Sequence, residues 1–226
     1  MKPIHLNLYI VDDDEPMRQS LVSLLNAHFS EFSMRTFASG EHFLEGADLD
    51  SNGVVIMDLR MEPGISGLEV FKQMQDQNSA LVLIFLSGHG TIPDAVRAME
   101  GGAVSWLPKP CSNEELIAVV QRAKDRATRT ARQRQGRQHA LSMWSGLTVR
   151  EKQTAIPAAQ GKTSKQISRE FAAQGISIVP RTVERHRANA MSKLDVPNTN
   201  ALQALILENG LDKELSSVPT KRKKSD

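Results

Sequence analysis

The feature that most constrains the fold is a rhythm in the first 120 residues, where short apolar, β-rich runs alternate with longer amphipathic stretches. The runs are LNLYIV (6–11), SMRTFA (33–38), GVVIMD (53–58), LVLIFLS (81–87) and VSWLP (104–108). Between and after them, residues 16–28, 40–45, 66–77, 92–100 and 113–129 carry apolar side chains at spacings of three and four, the period of a helix packed on one side. Five strands separated by helices predict a parallel sheet covered on both faces. In such a sheet a ligand site lies at the carboxyl ends of the strands, where the loops converge.

Charge divides the chain further. Residues 1–119 hold 7 Lys/Arg against 17 Asp/Glu, and residues 120–226 hold 21 against 9, so the near-neutral total of +2 conceals two oppositely charged halves. An acidic part that handles a cation or a charged small group, joined to a basic part that meets a polyanion such as nucleic acid, accounts for that asymmetry; chance segregation of solvated charge is the alternative. Residues 1–125 form the first domain, and RAKDRATRTARQRQGR (122–137) runs into a basic helical linker over 126–141, with Gly136 as the expected break. An all-helical domain follows over 142–212, and residues 213–226 read as a disordered basic tail. The single cysteine, Cys111, excludes an internal disulfide and a Cys-based zinc cluster, which fits a reducing cytosol. No apolar run reaches the roughly 20 residues of a spanning helix, and residues 1–5 begin no signal peptide, so a cytoplasmic protein without membrane contact is expected.

Acidic residues recur where the runs end. Asp58 closes the third run, VDDDEP places Asp12, Asp13 and Asp14 after the first, Ser87 ends the fourth, and Lys109 follows the fifth. Any one of these acids alone reads as a cap or turn residue. Together, at one sheet edge, they form a cluster of carboxylates that repel one another and need a cation or raised pKa values to coexist. Magnesium suits oxygen ligands and is usually held by one or two carboxylates plus phosphate oxygens. With such an ion and Lys109 nearby, Asp58 can attack phosphorus and carry an aspartyl phosphate, while Ser87 donates to a phosphate oxygen.

VDDDEPMRQSL, VVIMDLRM, IFLSGHG and LPKP together resemble the receiver domain of bacterial response regulators, a flavodoxin-like (βα)5 fold, and GHGTIPDAVRAMEGGAVSWLPKP is most similar to the FixJ branch. The resemblance covers residues 5 to about 125. It implies that Asp58 accepts phosphate from a sensor histidine kinase and that Asp12, Asp13, Asp58 and the backbone carbonyl of Arg60 hold the magnesium. It further implies that Ser87 and Lys109 contact the phosphoryl group, that the bond before Pro110 is cis, and that Trp106 occupies the aromatic switch position, where the family usually has Tyr or Phe. Pro63 and Gly67 each stand one residue further from Asp58 than in the family pattern, so the loop is longer by one residue near Glu62.

In the basic half, a helix beginning near Thr182 gathers Val183, Ala190 and Leu194 within about 40° of arc, and turns Arg185, Ala188, Asn189 and Ser192 to the opposite face. One face packs and the other offers donors to base edges. LTVRE, QGKTSKQIS and RTVERHRANAMSKL resemble the LuxR-type helix-turn-helix shared by the FixJ and NarL families, over residues 147–211. By that resemblance residues 182–194 are the recognition helix. Lys165, Arg181 and Lys193 would meet phosphates, Arg185 and Asn189 would read bases, and Thr182 and Glu184 lie on the approachable side. Two departures stand out. Pro157, with Thr154 and Ala155 in place of large aliphatics, predicts a short, kinked or thinly packed first helix. The turn before Arg181 is also longer than usual, with AAQGIS as the excess.

The whole predicts a response regulator whose phosphorylation promotes homodimerisation and DNA binding, with RNA polymerase as a further partner. An aspartyl-phosphate hydrolase of the haloacid dehalogenase kind is disfavoured, because the second Asp such enzymes carry two residues after the first is replaced by Arg60. The remaining alternative is a receiver-containing interaction protein whose helical domain has lost specific DNA binding.

Overall fold

In a computed structural model, residues 4–213 are described, so the basic tail beyond residue 213 lies outside the described residues. The chain divides into two compact units at Gln133 and Arg134. In the first, five strands, β1 (Leu6–Val11), β2 (Phe32–Phe37), β3 (Gly53–Met57), β4 (Val82–Ser87) and β5 (Ser105–Pro108), pair in parallel in the order β2-β1-β3-β4-β5. Helices α1 (Glu15–His28), α2 (Gly40–Gly46), α3 (Gly67–Asp76), α4 (Ile92–Glu100) and α5 (Asn113–Ser145) follow the strands in turn.

The central strands β1, β3 and β4 lie buried on both sides, whereas the edge strands β2 and β5 are partly exposed, and the alternation along the strands sorts the core into two layers. Leu8 and Ile10, Val54 and Ile56, and Ile84 and Leu86 face a layer built with Leu21 and Leu25 of α1 and Leu116, Val119 and Val120 of α5. Tyr9 and Val11, Val55 and Met57, and Leu83 and Phe85 face the other layer, with Phe43 of α2, Val70 and Met74 of α3, and Ala98 of α4. Contiguous apolar runs in the sequence are the mark of this two-sided burial. The order of strands reverses between β1 and β3, so the loops after these two strands diverge to opposite faces and leave an opening at the carboxyl edge.

One expectation changes here: no break occurs at Gly136, and α5 passes it and ends at Ser145. Small residues supply its apolar side: Ala127, Ala131 and Ala140 are buried, as is Trp144. Alanine, arginine and glutamine are strong helix formers, and their sum outweighs one interior glycine at about 1 kcal/mol.

The second unit contains α6 (Val149–Ala159), α7 (Ser164–Ala173), α8 (Pro180–Lys193) and α9 (Thr199–Asn209). Capping boxes Thr148/Glu151 and Thr163/Gln166 start the first two. Pro157 lies inside α6, and the helix continues two residues past it. Thr154 and Ala155 are buried rather than loosely packed, and the Thr154 hydroxyl donates to the Arg150 carbonyl at 2.8 Å. The large side chains of this core come from elsewhere, among them Trp144, Phe171, Val183, Leu194, Leu202 and Ile206.

The lengthened turn between α7 and α8 has a definite structure. Gly175 takes φ +76, and the Ile176 and Gly175 amides donate to the carbonyls of Phe171 and Ala172, a Schellman closure. Ile176 and Ile178 pack on the core, and the Ser168 hydroxyl donates to the Ile178 carbonyl at 2.6 Å. The extra residues are thereby tied down on the side facing the core.

Candidate functional site

The carboxyl ends of β1 and β3 deliver the acids. The Asp58 amide donates to the Val11 carbonyl at 2.8 Å, extending the β1–β3 ladder by one step and holding Asp58 beside Asp12. Asp12 is buried, Asp58 half-buried and Asp13 exposed, and a carboxylate oxygen from each lies within 4.8 Å of the others. The third acid of VDDDEP does a different job: Asp14 caps α1, its side chain accepting from the Met17 amide at 3.2 Å.

Lys109, just past β5, closes the cluster. Its Nζ donates to Asp12 Oδ2 at 2.5 Å and to Asp58 Oδ2 at 2.8 Å. The Lys109 amide donates to the Ser87 carbonyl at 3.0 Å, which aligns it with the end of β4, and the following bond to Pro110 is cis, as the resemblance implied. Asp58 Oδ1 accepts from the Leu59 amide at 2.6 Å and the Arg60 amide at 3.4 Å. Burial pushes the Asp12 carboxyl above its usual range, against the opposing pull of Lys109. Burial also works to lower Lys109, but its two carboxylate partners outweigh that and raise it, so the ammonium stays charged.

Ser87 is buried, and its Oγ accepts from the His89 amide at 3.2 Å, which leaves the hydroxyl hydrogen available to a ligand in the opening. The opening is lined by Asp12, Asp13, Asp58, Arg60, Glu62 and Lys109, among others. Three carboxylate oxygens this close form a donor set that suits a hard divalent cation.

Residues outside the expected set also shape this site. The Arg18 guanidinium donates to the Asp12 carbonyl at 2.7 Å. A Cβ on Gly67 would collide with the Asp58 carbonyl oxygen, so only glycine lets α3 begin here. Gly67 was visible in the sequence only as a loop marker, because the approach joins residues brought together by the sheet. Trp106 is half-buried, its ring 5.2 Å from that of Phe85. A Cβ on Gly90 would run into the indole, so the β4–α4 loop lies directly against the expected switch residue.

In the helical unit, Lys165 near the start of α7 and Arg181, Glu184, Arg185 and Asn189 of α8 are exposed, with Thr182 half-buried. Along α8, Arg181, Glu184, Arg185 and Asn189 fall on one face with the exposed Ala188 and Ser192, while Val183 and Ala190 face the core. Lys193 is placed differently from the others. It pairs with the buried Glu151 carboxylate at 2.8 Å, so its charge is partly committed within the fold.

Comparison with known proteins accords with both units. Residues 8–121 match the response regulator receiver domain, and residues 145–205 match the luxR family of bacterial regulatory proteins. The transcriptional regulatory protein FixJ of Bradyrhizobium diazoefficiens is 34% identical over 205 residues, 91% of this chain and 96% of that protein. The response regulator protein TodT of Pseudomonas putida is 32% identical over 195 residues, 86% of this chain and 82% of that protein. The solved structure of the response regulator StyR superposes with a TM-score of 0.76 at 31% identity, covering 90% of this chain and 99% of that one. A receiver with its acids gathered around one lysine, followed by a LuxR-type helix-turn-helix, makes this chain a member of the FixJ/NarL family of response regulators, the phosphorylation-dependent regulators of transcription.

Proposed function

We propose that Asp58 is the phosphoryl acceptor and that a sensor histidine kinase is the donor. The observation that carries this assignment is the lysine bridge, Lys109 between Asp12 and Asp58, at the edge where Ser87 also ends. An Asp58 oxygen bonds to phosphorus as the P–N bond of the kinase's phosphohistidine breaks, and the electron pair leaves with the imidazole. Lys109 then shifts from carboxylate to phosphoryl oxygen, and the Ser87 hydroxyl donates to another. Asp12, Asp13, Asp58 and the Arg60 carbonyl would hold a magnesium ion, which when bound neutralises charge on the carboxylates and the phosphoryl oxygens.

Drawing Ser87 toward the phosphoryl group moves the β4–α4 loop, and Gly90 in that loop rests on the Trp106 indole, so Trp106 reports the phosphate to the outer surface. That surface carries Ile92, Val96 and Met99, 82%, 48% and 47% exposed on one face of α4. An apolar face of this kind supports pairing with a second receiver, which brings two DNA-binding units to half-sites about one helical turn apart. Lys165 and Arg181 meet phosphates, with Lys193 contributing what its bond to Glu151 leaves free. Arg185 and Asn189 read base edges beside Thr182 and Glu184. RNA polymerase is a further partner and the cytoplasm the site of action; among the described residues no helix is long and apolar enough to cross a membrane. The working domains are residues 1–125 and 142–212.

Acetyl phosphate or beryllofluoride is expected to raise both dimer content and operator affinity. An Asp58→Ala protein that responds as the wild type does would remove this assignment.

A further inference from the structure

The loop from Asp58 to Gly67 is one residue longer than the family pattern, and its far half is held by a hydrogen bond to one distant side chain together with Ile65, which packs on the core. Glu41, in the first turn of α2, accepts the Ile65 amide on Oε1 at 2.8 Å. Among the described residues, no other amide from Met61 to Ser66 bonds outside the loop and α3. Gly64 lies between with φ +150, and a Cβ there would fall 2.8 Å from Glu41 Oε2, so the loop adopts its path because residue 64 has no side chain and Glu41 is close against it. Hydrogen bonds from its own backbone amide and from Ile65 hold the Glu41 carboxyl below the usual glutamate range. Glu41 is therefore an ionised anchor.

The near half of the same loop borders the acid pocket. Arg60 and Glu62 line the opening with Asp12, Asp13, Asp58 and Lys109, and Met61 between them is buried as a pivot. Released at Ile65, the loop could turn about Met61 and carry Glu62 and the Arg60 carbonyl relative to the carboxylates. We infer that Glu41 is a positioning residue for the cation and phosphoryl pocket, acting through the lengthened β3–α3 loop. This inference rests on magnesium binding at Asp12, Asp13 and Asp58.

The test measures magnesium affinity calorimetrically, without phosphodonor, and separately the rate of phosphorylation by acetyl phosphate. Glu41→Ala is expected to weaken magnesium on the order of tenfold, the low end for groups that orient ligands from behind, and to slow phosphorylation at fixed magnesium. Glu41→Gln retains an oxygen acceptor for the Ile65 amide and is expected to recover most of the affinity. Gly64→Ala pushes the same contact apart and is expected to resemble Glu41→Ala. Wild-type magnesium affinity in Glu41→Ala and Gly64→Ala, measured on folded protein by near-ultraviolet circular dichroism, would overturn the inference. Absence of magnesium binding by the wild type would instead overturn the assignment on which it rests.

Discussion

Lys193, in the last turn of α8, reaches back 42 residues to hydrogen-bond Glu151 Oε2 at 2.8 Å, joining α8 to the first turn of α6. The same carboxylate oxygen accepts the Thr148 amide at 2.8 Å, so one buried acid serves both a helix cap and an interhelical ion pair. Lys193→Met should destabilise the helical unit by about 1–2 kcal/mol, because it removes the charged partner of a buried group. Denaturant unfolding of the variant and wild type at neutral pH checks this, and an unchanged midpoint would refute it.

That pair also has a pH signature. Burial works to raise the Glu151 carboxyl, but the bonds from Lys193 and Thr148 outweigh it and hold the folded value below the usual 4.5. A group depressed in the fold contributes stability above its unfolded pKa and loses it as pH falls through the folded value. Acid unfolding of the helical unit should therefore show this loss below about pH 4.5. Glu151→Gln should be less stable at neutral pH and show a shallower acid dependence.

Gly136 sits inside α5, and a Cβ there meets nothing within 4 Å. Gly136→Ala should raise the midpoint of thermal unfolding, with a gain of roughly 0.5–1 kcal/mol from helix propensity alone. A lower midpoint and reduced far-ultraviolet ellipticity would mean that the helix breaks at this residue.

Ser168 holds the lengthened turn through the Ile178 carbonyl. Ser168→Ala should cost about 1 kcal/mol and leave that carbonyl without its partner. Because the turn leads directly into α8, specific DNA affinity should fall as well, measured by fluorescence anisotropy on a defined operator. Normal affinity with normal stability would show that the turn does not depend on this bond.

For DNA contacts, the charge-bearing side chains should separate by type. Lys165→Ala should weaken binding to all duplexes and reduce the salt slope by about 1, as expected for one phosphate contact. Arg185→Ala should cost about 1–3 kcal/mol on the operator and relax preference at one base position. Equal losses on specific and random DNA for Arg185→Ala would reassign it to the backbone.

What the sequence determined was whatever depends on local periodicity and on where runs end. Contiguous apolar runs of β-rich residues, alternating with spacings of three and four, required a parallel sheet covered on both faces, and the acids closing those runs had to collect at its carboxyl edge. The amphipathic pattern after Thr182 likewise defined which side of α8 packs, and Val183, Ala190 and Leu194 are buried there. Tertiary structure decided what no local pattern encodes. It chose Asp14 as a helix cap while leaving Asp13 beside Asp12 and Asp58, and joined Glu41 to Ile65 and Glu151 to Lys193. The physical reason is range. Periodicity registers neighbours within a turn or a pleat, whereas a carboxylate finds its partner only after the chain has folded tens of residues back upon itself.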